Sequence, residues 1–189
     1  MNQLPTNLPG VVIIEPDCFK DERGYFMEIY NSHRYSELNI AGPFVQDNLS
    51  FSSRGILRGL HYQYPHCQGK LVSVLQGEVF DVAVDIRLGS PAFGQWTGVL
   101  LSALNRRQLY LPPGFAHGFC VMSATALFTY KCSDFYTPQA EGGIAWNDPD
   151  LAIKWPLADP VLSAKDMRHP RLKDIAPHCL PVWHEENRS

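Results

Sequence analysis

The segment Arg58-Gly59-Leu60-His61-Tyr62-Gln63 puts a histidine three residues after an arginine and nine before Lys70. It leads into the most strand-like part of the sequence, residues 71–87. A second histidine closes Pro113-Gly114-Phe115-Ala116-His117, and Tyr130 falls on a later strand-like run. If these side chains share a pocket, they suit proton transfer at carbon. Histidine titrates near neutrality and can take a proton that an adjacent carbonyl has acidified. A lysine at the carbonyl oxygen stabilises the enolate that forms. A tyrosine on the opposite face can return a proton, and base on one side with acid on the other is what inversion requires. Taken singly, each residue has a plainer reading: a packed strand histidine, a solvated turn lysine, a buried aromatic ring.

The elements that must position these groups read as many short strands. Residues 11–14 are β-branched, Asp21-Glu22-Arg23-Gly24 reads as a turn, and residues 25–30 form an aromatic strand. Residues 31–38 fit one short helix capped by Ser32 or Asn31. Between Phe44 and Phe51, Gln46, Asn48 and Ser50 alternate with Val45, Leu49 and Phe51. Such a polar row lines either a wet ligand cavity or a solvent-facing edge. Phe80, Val82, Val84 and Ile86 alternate with Asp81 and Asp85, and further strands are expected at 96–101, 108–111, 118–122 and 126–132. With almost no helical period, the pattern predicts an all-β sandwich or closed barrel. Residues 1–12 read as an arm, and the Pro-, Asp- and Trp-rich stretch after Pro138 as a cover of short helices or turns. The expected organisation is a single domain over 1–189: arm and dimerisation strands in 1–55, barrel core in 56–137, C-terminal cover in 138–189. His33, His66, His169, His178 and His184 are expected to be exposed, and 178–189 to be disordered.

Composition narrows the function classes. At 189 residues and 45% hydrophobic, the chain can fill one core. Charged residues are 19% with a net charge of −3, which provides no basic field for nucleic acid. Cys18, Cys67, Cys120, Cys132 and Cys179 form no CxxC pair and no zinc spacing, which suits a reducing compartment. Without a signal peptide or a membrane-length apolar run, a cytoplasmic protein is expected.

Gly69-Lys70, the Gly77-Glu78 turn and Pro113-Gly114-x-x-His117 resemble the cupin pattern of a small jelly-roll barrel. Metal-binding cupins supply His-x-His and a glutamate from the first motif and a histidine from the second. Here Gln63 breaks the pair, Glu78 lies away from the ligand position, and His117 alone is left. A divalent metal needs three or more fixed ligands, so neither metal nor other cofactor is expected.

A closer resemblance rests on several segments in order: Arg23-Gly24-Tyr25-Phe26-x-Glu28, Gln46-Asp47-Asn48, the stretch 58–63, Pro113-Gly114-Phe115-Ala116-His117-Gly118-Phe119, Glu141-Gly142-Gly143-Ile144-x-Trp146-Asn147-Asp148-Pro149, and Ser163-Ala164-Lys165-Asp166. From about residue 10 to residue 175 the chain resembles the dTDP-4-dehydrorhamnose 3,5-epimerase family. The resemblance implies His61 as general base, Asp166 as the carboxylate orienting its ring, Tyr130 as general acid and Lys70 at the ketone oxygen. It implies ligand contacts at Arg23, Glu28, Gln46, Asp47, Asn48, Arg58, Lys70, His117, Phe119, Glu141 and Lys165, with Phe26 and Tyr136 stacking on the base. Asp81 is expected to pair with Lys70 and keep it charged.

The implied substrate is a dTDP-linked 4-keto-6-deoxy sugar, and the implied assembly a homodimer with paired N-terminal strands. Rival readings are a mono-epimerase or CDP-sugar epimerase of the same fold, or a non-catalytic sugar-binding cupin. Strict alternation puts Arg58 and His61 on opposite faces. Either Gly59 marks a bulge that re-aims one of them, or Arg58 serves a neighbouring subunit's ligand.

Overall fold

The computed structural model describes residues 1–40 and 42–184. The expected alternation becomes a run of short strands: β1 (Asn2–Pro5), β2 (Val12–Glu15), β3 (Cys18–Asp21), β4 (Gly24–Met27), β5 (Gln46–Ser53), β6 (Leu57–Gln63) and β7 (Lys70–Gln76). There follow β8 (Glu78–Asp85), β9 (Trp96–Ser102), β10 (Gln108–Leu111), β11 (Phe115–Val121), β12 (Thr125–Cys132) and β13 (Glu141–Gly143). They form a six-stranded sheet ordered β1-β2-β10-β7-β12-β5, a five-stranded sheet ordered β13-β6-β11-β8-β9, and a separate β3-β4 hairpin. Val72, Leu109 and Phe128 from the first sheet meet Val79, Leu101 and Phe119 from the second in one buried cluster. This is the filled interior of a cupin-like jelly roll. Phe128, 1% exposed, contributes roughly 2–3 kcal/mol through burial alone.

The outer face of the five-stranded sheet is also covered. Leu60, Val82, Val84 and Ile86 pack against Ile144, Leu151, Leu172 and Leu180 from the C-terminal segment. That segment turns through single-turn 3-10 helices at Asp166–Arg168, Leu172–Asp174 and Pro177–Cys179 rather than through longer helices. The predicted short helix is α1 (Ser32–Ser36), capped by Asn31, whose side chain accepts from the amides of His33 and Arg34. Its Tyr35 packs on Ile14, Leu71 and Tyr110.

Three expectations are corrected here. The first twelve residues are more than an arm, because Leu8 and Val11 are each 1% exposed within the main core and β1-β2 extends the six-stranded sheet. The aromatic strand expected over 25–30 stops at Met27, and its hairpin leaves Phe19, Tyr25 and Phe26 exposed. The tail is packed as far as it is described: Leu180 is buried and Trp183 stacks on the Arg87 guanidinium at 4.3 Å. Residues 185–189 of the run expected to be disordered lie outside the described residues.

The Arg58 puzzle resolves as a bulge. His117 pairs with His61 but Phe119 with Arg58, so β6 spends one more residue than β11 over the same stretch. Gly59 sits there at φ +126°, and a Cβ on it would fall 2.5 Å from Gly118 Cα. Only glycine suits both the backbone conformation and the contact.

Candidate active site

Four strands bring their polar residues to one end of the barrel. His61 comes from β6, Lys70 from the start of β7, Tyr130 from β12, and Gln46 with Asn48 from edge strand β5. Together with Gln63, Gln68, Tyr62, Tyr136 and Glu141 they line a cavity of about 280 Å³. The polar row of β5 therefore faces a ligand cavity, while Leu49 and Phe51 on its other side are 63% and 60% exposed.

His61 Nε2 lies 2.7 Å from Oδ1 of Asp166, whose side chain is only 5% exposed. With Nε2 committed to the carboxylate, Nδ1 is the ring nitrogen left to accept a proton. Burial pushes the Asp166 carboxyl up, but the His61 hydrogen bond and charge, the Gly59 backbone and His169 together hold it below its ordinary value. The bulge thus turns a strand amide towards the carboxylate. Burial lowers the Lys70 pKa, while Cys132, Asp81 and Glu141 favour its charged form. When protonated, a lysine in so desolvated a place acts strongly on any developing oxyanion. Burial raises the Tyr130 pKa, with Cys132 and Glu141 adding and Arg58 opposing, so its hydroxyl stays a proton donor at neutral pH.

The expected Lys70–Asp81 pair is not what forms. Asp81, 0% exposed, takes its hydrogen bonds from His117 Nε2 at 2.9 and 3.0 Å and acts on Lys70 only through space. His117 lies over Phe128, 6.1 Å between ring centroids, and Phe119 stacks on the same ring at 4.1 Å. These two residues form the wall behind the cavity rather than its lining. At the mouth, Tyr136 Oη donates to Glu141 at 2.7 Å and Lys165 Nζ binds the same carboxylate oxygen. Gln63 is a strut: its amide donates to the carbonyls of His66 and Phe135 and its oxygen accepts from the Thr137 amide.

Other expected contacts lie away from this cavity. Arg23 is exposed and paired with Asp21 at the hairpin turn, Phe26 is 72% exposed, and Glu28 binds Arg34 and Asn31. Asp47 points outward to Lys131. Arg58 donates to Ser52 Oγ at 3.1 Å and, although outside the lining, is near enough to act on Tyr130 through its charge.

One residue was misjudged: His169, expected to be exposed, has a side chain only 11% exposed and lies beside Asp166. Its position three residues after Asp166 was the only signal available. Among the described residues, His61, Asp166 and His169 form the one trio whose donor atoms, within 4.8 Å of one another, could hold a metal ion.

The family model for dTDP-4-dehydrorhamnose 3,5-epimerase matches residues 5–174. The chain belongs to this family. A dTDP-4-dehydrorhamnose 3,5-epimerase from Shigella flexneri is 53% identical over 176 residues, 92% of this chain and 97% of the relative. The crystal structure of dTDP-6-deoxy-D-glucose-3,5-epimerase RmlC from Legionella pneumophila Philadelphia 1, in complex with dTDP-4-keto-L-rhamnose, superposes with a TM-score of 0.94 at 56% identity. That match covers 97% of this chain and 98% of the other. The fold is shared with a 3'-monoepimerase from Streptomyces bikiniensis in complex with dTDP-quinovose, 34% identical, TM-score 0.88, covering 94% and 92% of the two chains.

Proposed function

We propose that the chain converts dTDP-4-dehydro-6-deoxy-D-glucose to dTDP-4-dehydro-L-rhamnose by inverting carbons 3 and 5, a step towards rhamnose-containing polysaccharide. The observation that carries this reading is the convergence of the His61–Asp166 pair, Lys70 and Tyr130 on one cavity. The 4-keto group acidifies the hydrogens on both neighbouring carbons. His61 Nδ1 removes one, the C–H electron pair moves into an enolate, and Lys70 stabilises the negative oxygen. Tyr130 delivers a proton to the opposite face at carbon 5, and at carbon 3 that face takes its proton from solvent water; each time the enolate electron pair forms the new C–H bond. The scheme conserves electrons and protons without an oxidant, a reductant or a metal. Arg58 and Lys165 are the cations near the cavity suited to the diphosphate.

The test is incubation with that substrate in deuterated water. One deuterium at each of carbons 3 and 5 is expected. Label at neither sinks the reading, and label at one carbon selects a mono-epimerase.

The assembly we propose is a homodimer. Leu49, Phe51 and Leu75 are exposed large apolar residues on the six-stranded sheet, and Phe19, Tyr25 and Phe26 on the hairpin are exposed as well. Apolar surface of this extent favours burial against a second copy. Such pairing carries Arg23, Phe26 and Glu28 towards the partner's cavity. Phe51→Asp is expected to shift sedimentation from dimer to monomer; an unchanged coefficient removes this face from the interface. We place the protein in the cytoplasm, a reading that its five free cysteines support.

A further inference from the structure

Behind the catalytic pair lies an imidazole that the reaction scheme does not use. His169 Nε2 is 3.5 Å from Asp166 Oδ1, the same oxygen that lies 2.7 Å from His61 Nε2. This nitrogen is enclosed by protein and has no hydrogen-bond partner, with Asp166 Oδ1 the acceptor it faces. The His169 ring stands edge-on to that of His61, 5.7 Å between centroids and 80° between planes. Room for it comes from Gly143, the Cα partner of His61 on β13, because a Cβ there would run into the His169 ring. The chain just after it is pinned twice: the Ala145 amide donates to Pro170 O at 2.8 Å, and the Leu172 amide to Asp148 Oδ2 at 2.8 Å.

We propose that His169 is a positioning residue for the proton-transfer pair, directing Nε2–H at Asp166 Oδ1 and fixing the His61 ring edge-on; this rests on His61 being the base. Burial, then the neighbouring His61, and also Lys165 disfavour a protonated His169, against the pull of Asp166. Glu141 on β13 is the other charged group acting here, through its interaction with His61. As a neutral donor, His169 occupies part of the accepting capacity of Asp166. Its loss leaves the carboxylate freer to hold a proton on His61, so the base is occupied up to a higher pH.

His169→Phe keeps a ring in the slot but removes the donor, whereas His169→Gln keeps an N–H. For His169→Phe, kcat is expected to fall about 3- to 10-fold with KM unchanged, the range for the net contribution of an ordinary hydrogen bond. The acid limb of its kcat/KM profile is expected to move to higher pH, and His169→Gln to recover most of both changes. The His61 imidazole resonances, titrated by NMR without substrate, are expected to move in the same direction. Unchanged resonances, or a loss of kcat with no movement of the pH profile and no recovery in His169→Gln, overturn the proposal. If the wild-type protein takes up no deuterium while the NMR shift is present, the epimerase reading fails and the positioning role stands.

Discussion

A His61→Asn variant is expected to lose deuterium incorporation at carbons 3 and 5 together, by about 10²–10⁴-fold, the usual contribution of a positioned general base. In the proposed scheme both exchanges depend on the same nitrogen, so neither carbon is spared. Asparagine retains an N–H for Asp166, a 5% exposed carboxylate that otherwise would lose its closest partner. The loss is thus chemical rather than a collapse of the site, and substrate affinity is expected to change little. A variant that still exchanges either carbon at the wild-type rate removes His61 from the mechanism.

The same pair carries a pH signature in stability. The folded Asp166 carboxyl is held below its ordinary value, against burial, chiefly by His61. A depressed folded pKa means that stabilisation is present above the unfolded carboxylate value and is lost as pH falls through the folded one. Wild type and His61→Asn are therefore expected to differ most in melting temperature near neutrality and to converge in acid. Divergence in acid contradicts the assignment.

Tyr130→Phe is expected to separate inversion from exchange. Without the hydroxyl, His61 still removes protons and Lys70 still holds the enolate, so deuterium continues to enter from the His61 side. Net inversion at carbon 5 is expected to fall by about 10²-fold or more, in line with loss of a general acid. A product epimerised at carbon 3 alone then accumulates, detectable by proton NMR of the sugar. Equal losses of exchange and inversion would argue that Tyr130 only shapes the cavity. Burial, the largest influence on Tyr130, keeps it protonated and so favours the donor role.

Most of the barrel was legible because strand alternation is a local property: β7 to β12 lie close to where apolar and polar residues trade places. The orientation of the Gln46-Asn48-Ser50 row was undecided between cavity and solvent, since period alone cannot tell which face of an edge strand is inward. Of the candidate site, His61, Lys70 and Tyr130 stood out by residue type, and Asp166 came only through the resemblance to a known family. His61, Lys70 and Tyr130 meet through pairing between strands distant in sequence, and Asp166 arrives from the C-terminal cover. Where the reading failed, it failed at partner choice. Asp81 shares its surroundings with both Lys70 and His117, and only the register placing His117 opposite Ala83 and Phe119 opposite Asp81 gives the carboxylate to the histidine. His169 looked exposed beside its proline. What buries it is Gly143, whose missing side chain is a feature of another strand.

The extra residue in β6 has a consequence for how this barrel can change. A regular strand would complete its ladder with β11, whereas the bulge diverts the Gly59 backbone to Asp166. Deleting one residue here would slip the register and turn side chains of β6 to the other face, and would withdraw the Gly59 amide from the carboxylate. Efforts to harden the protein by consensus or redesign do best to leave the Arg58–His61 stretch irregular and make their gains elsewhere.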